Sequence, residues 1–246
     1  MADFHLYLIG DEILSGRRQD QHFPVILEKL KQRGHRLASA HYLPDEPAVL
    51  VDAFRKSLAE GWKVISCGGI GATPDDYTRQ ALASALGLPL EAQPEARAIL
   101  AARFGGELYP HRIRLCEFPQ GAALVPNPVN QVAGCHIREH YLLPGFPEMA
   151  WPMTDWLLDH CYRNAEPAVT LSIVVPDARE GALIDLMEEL TQRWPGVRFS
   201  SLPSFGGARH PGPHIDFSVT GHAAETQEAM QFLQAGLQAH GLVWTA

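Results

Sequence analysis

The residues best suited to chemistry lie in one run, Cys67-Gly68-Gly69-Ile70-Gly71-Ala72-Thr73-Pro74-Asp75-Asp76-Tyr77-Thr78. Three glycines let a ligand approach the main chain, and amide groups ahead of a helix can face an anion. Asp75 and Asp76 would repel a phosphate unless a hard cation sat between them. Mg²⁺ suits such a place, because it takes one or two carboxylates and completes its shell with phosphate oxygens and water. The run therefore reads as a phosphate and divalent-cation site. It fits neither G-x-x-x-x-G-K-[ST] nor G-x-G-x-x-G, since Pro74 stands where the third glycine of the latter belongs. A plain Gly/Pro turn with an acidic helix start is the other reading of the same residues.

Other reactive side chains are less patterned. Cys67, Cys116, Cys135 and Cys161 form no C-x-x-C pair and match no zinc spacing. They read as reduced thiols, with Cys67 packing beside the glycine loop rather than acting as a nucleophile. His136 with His140, and His210 with His214, lack the glutamate of H-E-x-x-H and read as surface features.

The elements that must position the run follow from hydrophobic patterning. Lys63-Val64-Ile65-Ser66 is an apolar strand leading into the glycines, and residues 78–86 form a helix behind them. Upstream, strands are expected at 5–9 and 36–43, with helices at 23–33 and 49–60. Downstream, a helix is expected at 94–104, an irregular stretch at 105–147 containing a strand at 140–143, and a helix at 149–162 with Pro152 in its first turn. This alternation predicts an α/β fold, a three-layer, mostly parallel sheet with helices on both faces. Arg163-Asn164-Ala165-Glu166-Pro167 reads as a linker. Beyond it a strand at 169–175, a helix at 181–194, strands at 197–202 and 215–220 and a helix at 223–238 make a small α+β module. The expected domains are thus 1–164 and 165–246. In the second, the loop Ser204-Phe205-Gly206-Gly207-Ala208-Arg209 reads as a hairpin connection that could touch a ligand.

Composition sets the outer bounds. With 246 residues, 46% of them hydrophobic, the chain can bury a substantial core. A net charge of -8 argues against a nucleic-acid backbone or an anionic membrane as the main partner, while a nucleotide stays compatible through local charges. No apolar run reaches the roughly 18 residues of a transmembrane helix, and the first residues lack a basic secretory start, so a cytoplasmic location is expected.

Three separated segments carry a family resemblance. Gly10-Asp11-Glu12-Ile13-Leu14-Ser15-Gly16 resembles the G-[DNT]-E-[IL]-L-x-G signature of the molybdopterin-binding superfamily (MogA, MoeA and MoaB-like, molybdenum-cofactor biosynthesis). The glycine run resembles T-G-G-[LI]-G-P-T-x-D-D-x-T of the competence/damage-inducible protein A (CinA) family, and Pro144-Gly145-Phe146-Pro147-Glu148 is similar to that family's L-P-G-x-P-x-E loop. The resemblance covers about residues 4–160. It implies catalytic roles for Asp76 and Asp45, with Asp75 and Asp76 as ligands of Mg²⁺ or another divalent cation. It implies substrate or phosphate contacts from Gly10, Asp11, Glu12, Gly68, Gly69, Gly71, Thr73, Thr78, Pro144, Gly145 and Pro147. A small-molecule nucleotide or pterin, with molybdopterin as one candidate ligand, is the implied partner, and relatives assemble as homodimers or homotrimers. The implied chemistry is Mg-dependent hydrolysis of a nucleotide pyrophosphate such as ADP-ribose. A non-catalytic binding module and a molybdenum-cofactor transferase are the alternatives. The chain ends before the amidase domain of longer relatives, so nicotinamide-mononucleotide deamidation is not implied. Cys67 stands where the family has Thr, Ala72 where it has Pro, and Gln21-His22 where it has a polar-Asn pair.

Overall fold

A computed structural model describes residues 1–207 and 210–245. Ala208 and Arg209, the end of the loop singled out above, lie outside the described residues. The chain divides into two compact units, Met1–Ala165 and Glu166–Ala246.

The first unit opens with strand β1 (Asp3–Ile9), a short helix α1 (Asp11–Leu14), helix α2 (His22–Gln32), strand β2 (Arg36–Leu43), helix α3 (Pro47–Ala59) and strand β3 (Lys63–Cys67). Helix α4 (Thr78–Leu86), strand β4 (Leu90–Ala92) and helix α5 (Pro94–Phe104) follow. Strands β5 (Glu117–Pro119), β6 (Ala123–Val125), β7 (Gly134–Ile137) and β8 (His140–Leu143) and helix α6 (Pro147–Cys161) complete it.

The main sheet has the order β2-β1-β3-β8-β7-β6. Its first four strands are parallel, whereas β7 and β6 run antiparallel to their neighbours. Strands β5, β6 and β7 fall in the stretch expected to be irregular. They are three or four residues long, too short for a period-2 pattern to declare itself.

The inner strands read as unbroken apolar runs because both faces are covered. Along β1, Phe4, Leu6 and Leu8 pack with Ile26 and Leu30 of α2 and Met153 and Leu157 of α6. The alternate residues Tyr7 and Ile9 join Leu50 and Phe54 of α3 and Leu82 of α4. Helices α3, α5 and α6 each begin with a proline, where the missing N–H costs nothing. Because α6 starts at Pro147, Pro152 lies inside it rather than in its first turn. His140, read as a surface residue, is 1% exposed. It sits at the start of β8, with Nε2 2.7 Å from Ser57 Oγ and Nδ1 2.7 Å from the Arg138 carbonyl.

The second unit contains strand β9 (Val169–Pro176), helix α7 (Ile184–Arg193), strands β10 (Arg198–Ser204) and β11 (His214–Gly221), and helix α8 (Ala223–Ala239). Its antiparallel sheet has the order β10-β11-β9. Ile215, Phe217 and Val219 of β11 point into a core with Leu186 and Leu190 of α7 and Met230 and Leu233 of α8. Among the described residues no helix is long and apolar enough to cross a membrane.

Candidate functional site

Parallel pairing places the carboxyl ends of β2, β1, β3 and β8 side by side, roughly 4.8 Å apart from strand to strand. The last residues are in register, with Ile9 opposite Leu43, Leu8 opposite Cys67, and Cys67 opposite Leu143. Each strand hands its chain to a loop at this edge. The segment after β1 packs its helix α2 on one face, and α3, which leads into β3, packs on the other. A crevice outside the strand ends is expected where connections leave in opposite directions. Gly10 N–H donates to the Leu43 carbonyl at 3.2 Å and Gly68 N–H to the Leu143 carbonyl at 3.0 Å, so these loops are tied directly to the sheet.

A cleft of about 510 Å³ lies at this edge. It is lined by Gly10, Glu12, Asp45, Gly68, Gly69, Gly71, Thr73, Asp75, Asp76, Pro144 and Gly145, which come from four separate stretches of chain. Three anticipated residues do not line it. Pro147 borders an adjoining hollow of about 230 Å³. Asp11 stands behind Asp45, with an N–H donating to Asp45 Oδ2 at 3.1 Å and Oδ1 accepting from Asp45 N–H at 3.3 Å. Thr78 is fully buried beneath the loop, where its Oγ1 donates to the Gly68 carbonyl at 2.9 Å and its N–H to the Gly69 carbonyl at 3.0 Å.

The glycine loop is shaped by contacts that only glycine tolerates. Gly68 has φ +113°, and a Cβ there would stand 2.1 Å from the Ile9 carbonyl oxygen. Gly69 has φ +67°, and its Cβ would meet Thr78 Oγ1 at 2.2 Å. Arg79, 2% exposed, braces the far side by donating to the carbonyls of Gly71 and Arg114, and to that of Glu117 at 3.4 Å. So held, the loop leaves its own donors unused. The amide groups of Gly69, Ile70, Gly71 and Ala72 donate to no acceptor among the described residues. Four consecutive N–H groups without an internal acceptor, on residues that line a cleft, are donors available to an anion.

The carboxylates differ in their surroundings. Asp76 Oδ2 accepts from Thr73 N–H at 2.9 Å and from the Thr73 hydroxyl. Asp75 is exposed. Burial raises the Asp45 carboxyl above the ordinary carboxylate range; the Asp11 N–H opposes this, and the charges of Asp11, Glu12 and Asp75 add to it. Among the described residues no three His, Cys, Asp or Glu side chains are grouped to hold a metal. One or two carboxylates suffice for Mg²⁺ when a phosphate and water complete its shell. Asp75 and Asp76 both line the cleft, and Asp76 keeps one oxygen free of the Thr73 contacts.

Arg18, Asn130, Phe146 and Met149, which carried no role from sequence, border the cleft. Arg18 and Phe146 also border the adjoining hollow, together with His22 and Cys67, two of the positions that depart from the family's spelling. Asn127 also borders the cleft and is 5% exposed. Its Oδ1 accepts from Val129 N–H at 3.0 Å and its Nδ2 donates to the Val132 carbonyl at 3.0 Å, folding the loop. Its signal was the Asn-Pro step, a turn former whose side chain bonds its own backbone. Cys67 is 2% exposed, and burial drives its thiol far up, which removes it as a nucleophile.

Comparison with known proteins agrees with this architecture. Residues 6–163 match the model of a family described as a probable molybdopterin binding domain. A protein of Caldivirga maquilingensis is 31% identical over 229 residues, covering 90% of this chain and 89% of that one. A CinA-like protein of Geobacter sp. (strain M21) is 35% identical over 192 residues, covering 73% of this chain and 46% of the relative. This chain therefore spans about half the length of the CinA-like relative. The crystal structure of CinA from Thermoplasma acidophilum, described there as of unknown function, superposes with a TM-score of 0.59 at 26% identity, covering 64% of this chain and 96% of that one.

Proposed function

Because the chain belongs to the molybdopterin-binding domain family and is CinA-like, we propose that its cleft binds a phosphorylated nucleotide or pterin and hydrolyses the pyrophosphate link of a nucleotide of the ADP-ribose type. The observation that carries this reading is the row of unpaired amides from Gly69 to Ala72 on a cleft wall that Asp45, Asp75 and Asp76 also line. A phosphate on those amides lies among the carboxylates. Asp45 takes the proton of an attacking water, a role that its raised affinity for protons suits. The water oxygen bonds to one phosphorus, the bridging P–O bond breaks, and AMP and ribose 5-phosphate leave. Asp75 and Asp76 would hold Mg²⁺ or another divalent cation, which supplies neutralisation of phosphate charge when bound. Thr73 keeps Asp76 turned toward the loop through its N–H and hydroxyl.

Asp76→Asn is expected to abolish release of AMP from ADP-ribose while leaving the circular dichroism spectrum and Tm unchanged. Turnover at the wild-type rate in that variant would remove Asp76 from the mechanism. A second reading, a pterin or nucleotide module without hydrolytic chemistry or a molybdenum-cofactor transferase, is favoured by the fact that one Asp76 oxygen is already committed to Thr73. Calorimetry with ADP-ribose and Mg²⁺, paired with product detection, separates the two, since tight binding without AMP selects the second. We further propose a homodimer or homotrimer, tested by light scattering, acting in the cytoplasm, where free thiols such as its four cysteines persist.

A further inference from the structure

The glycine cleft and the adjoining hollow are not independent cavities. Ile9, Glu12, Arg18, Gly145 and Phe146 border both, so one wall is common to the two. Arg18 is the one basic side chain on the glycine cleft among the described residues. It reaches the site from the segment between α1 and α2, where its N–H donates to the Glu12 carbonyl at 2.9 Å after the turn at Gly16. No ion pair or side-chain hydrogen bond engages its guanidinium among the described residues, whereas neighbouring Arg17 bonds Ser15 Oγ at 3.4 Å. In the hollow, the other basic side chain is His22, whose Nε2 is taken by the Gly145 carbonyl at 3.2 Å.

Two sets of free donors thus border the same space from different loops, the unpaired amides of residues 69–72 and the Arg18 guanidinium. The charge balance gives the second a role. Glu12, Asp45, Asp75 and Asp76 all line the cleft, so a ligand with more than one phosphate meets four carboxylates there and gains from a fixed positive charge beside the amides. A planar guanidinium binds a phosphate by two parallel hydrogen bonds and stays charged at every relevant pH. We propose that Arg18 is the specificity-determining residue of this site. It reads the second phosphate of a diphosphate-linked ligand whose two ends occupy the cleft and the hollow, and so selects such a ligand over a monophosphate.

This rests on the nucleotide-binding reading above, and one experiment tells the two apart. Calorimetry compares ADP-ribose with AMP, each with Mg²⁺, on the full chain and on Arg18→Gln and Arg18→Lys. Arg18 is exposed, so the variants are expected to keep the wild-type Tm. The expected result is at least a tenfold loss of ADP-ribose affinity in Arg18→Gln, less than a threefold change for AMP, and partial recovery in Arg18→Lys. Equal losses for both ligands, or no loss for either, would overturn the assignment of Arg18 and leave the nucleotide site standing. A wild-type chain that binds neither ligand would overturn the nucleotide reading and this inference with it.

Discussion

At the scale of single residues, the site depends on how close backbone and side chain come at the sheet edge. Gly68→Ala places a methyl group 2.1 Å from the Ile9 carbonyl in a left-handed conformation. The loop must shift or hold strain of about 1–3 kcal/mol. Urea denaturation is expected to show that loss, and calorimetry a parallel loss of nucleotide binding. Asp45 gives a prediction of a different sign. Its proton affinity is raised in the folded state, so its contribution to stability is present at low pH and is lost as pH rises through the folded value. Asp45→Asn keeps an acceptor for the Asp11 N–H and removes that charge. The variant is expected to melt no lower than wild type at pH 7, and to hydrolyse far more slowly, its residual rate lacking the acid limb of the wild-type profile. A fall in Tm would show that the charge itself supports the fold. The glycines and carboxylates were visible in the sequence because their chemistry resides in residue type. Arg18 was not, since nothing local marks an arginine as facing a cleft.

At the scale of elements, the phosphate loop is a connection braced from beneath by α4. Thr78 Oγ1 holds the Gly68 carbonyl, and Arg79 ties Gly71 to the segment that precedes β5. Thr78→Val preserves shape and removes the hydroxyl, leaving the Gly68 carbonyl short of a donor at a cost of about 1–3 kcal/mol. Hydrogen exchange is expected to quicken in residues 68–77 before the rest of the sheet, and unchanged exchange there would refute the bracing role. Apart from the four-residue α1 and the three-residue β4, the strands and helices up to α5 were legible because each is long enough to show its period, as Phe4, Leu6 and Leu8 opposite Tyr7 and Ile9 do. Strands β5 to β7 were not, because pairing partners distant in sequence, rather than three or four residues of local pattern, make them strands. His140 was read as exposed for a related reason: its strand was legible, but the contact with Ser57 that buries it joins residues far apart in the chain.

At the scale of the whole molecule, acid should be the weak side of stability. His22, His35 and His140 are buried, and burial lowers their proton affinity in the folded state. Their contribution is present above the unfolded value near pH 6.5 and is lost as pH falls through the lowered folded values. Tm is expected to decline from pH 7.5 to 5, with a shallower decline in His140→Gln; a flat profile would exclude these histidines as the cause. The two units have separate hydrophobic cores, so a fragment of residues 1–165 is expected to unfold cooperatively on its own. The sequence by itself determined that a twofold-covered, largely parallel sheet forms and that glycines and aspartates follow its third strand, because periodicity and backbone permissiveness are local properties. Only the tertiary structure decided that four strand-end loops meet in one cleft, that Asp11 and Thr78 support it from outside, and that Arg18 and Phe146 border it. Parallel register aligns residues far apart in the chain, and no local pattern encodes which of them end up neighbours.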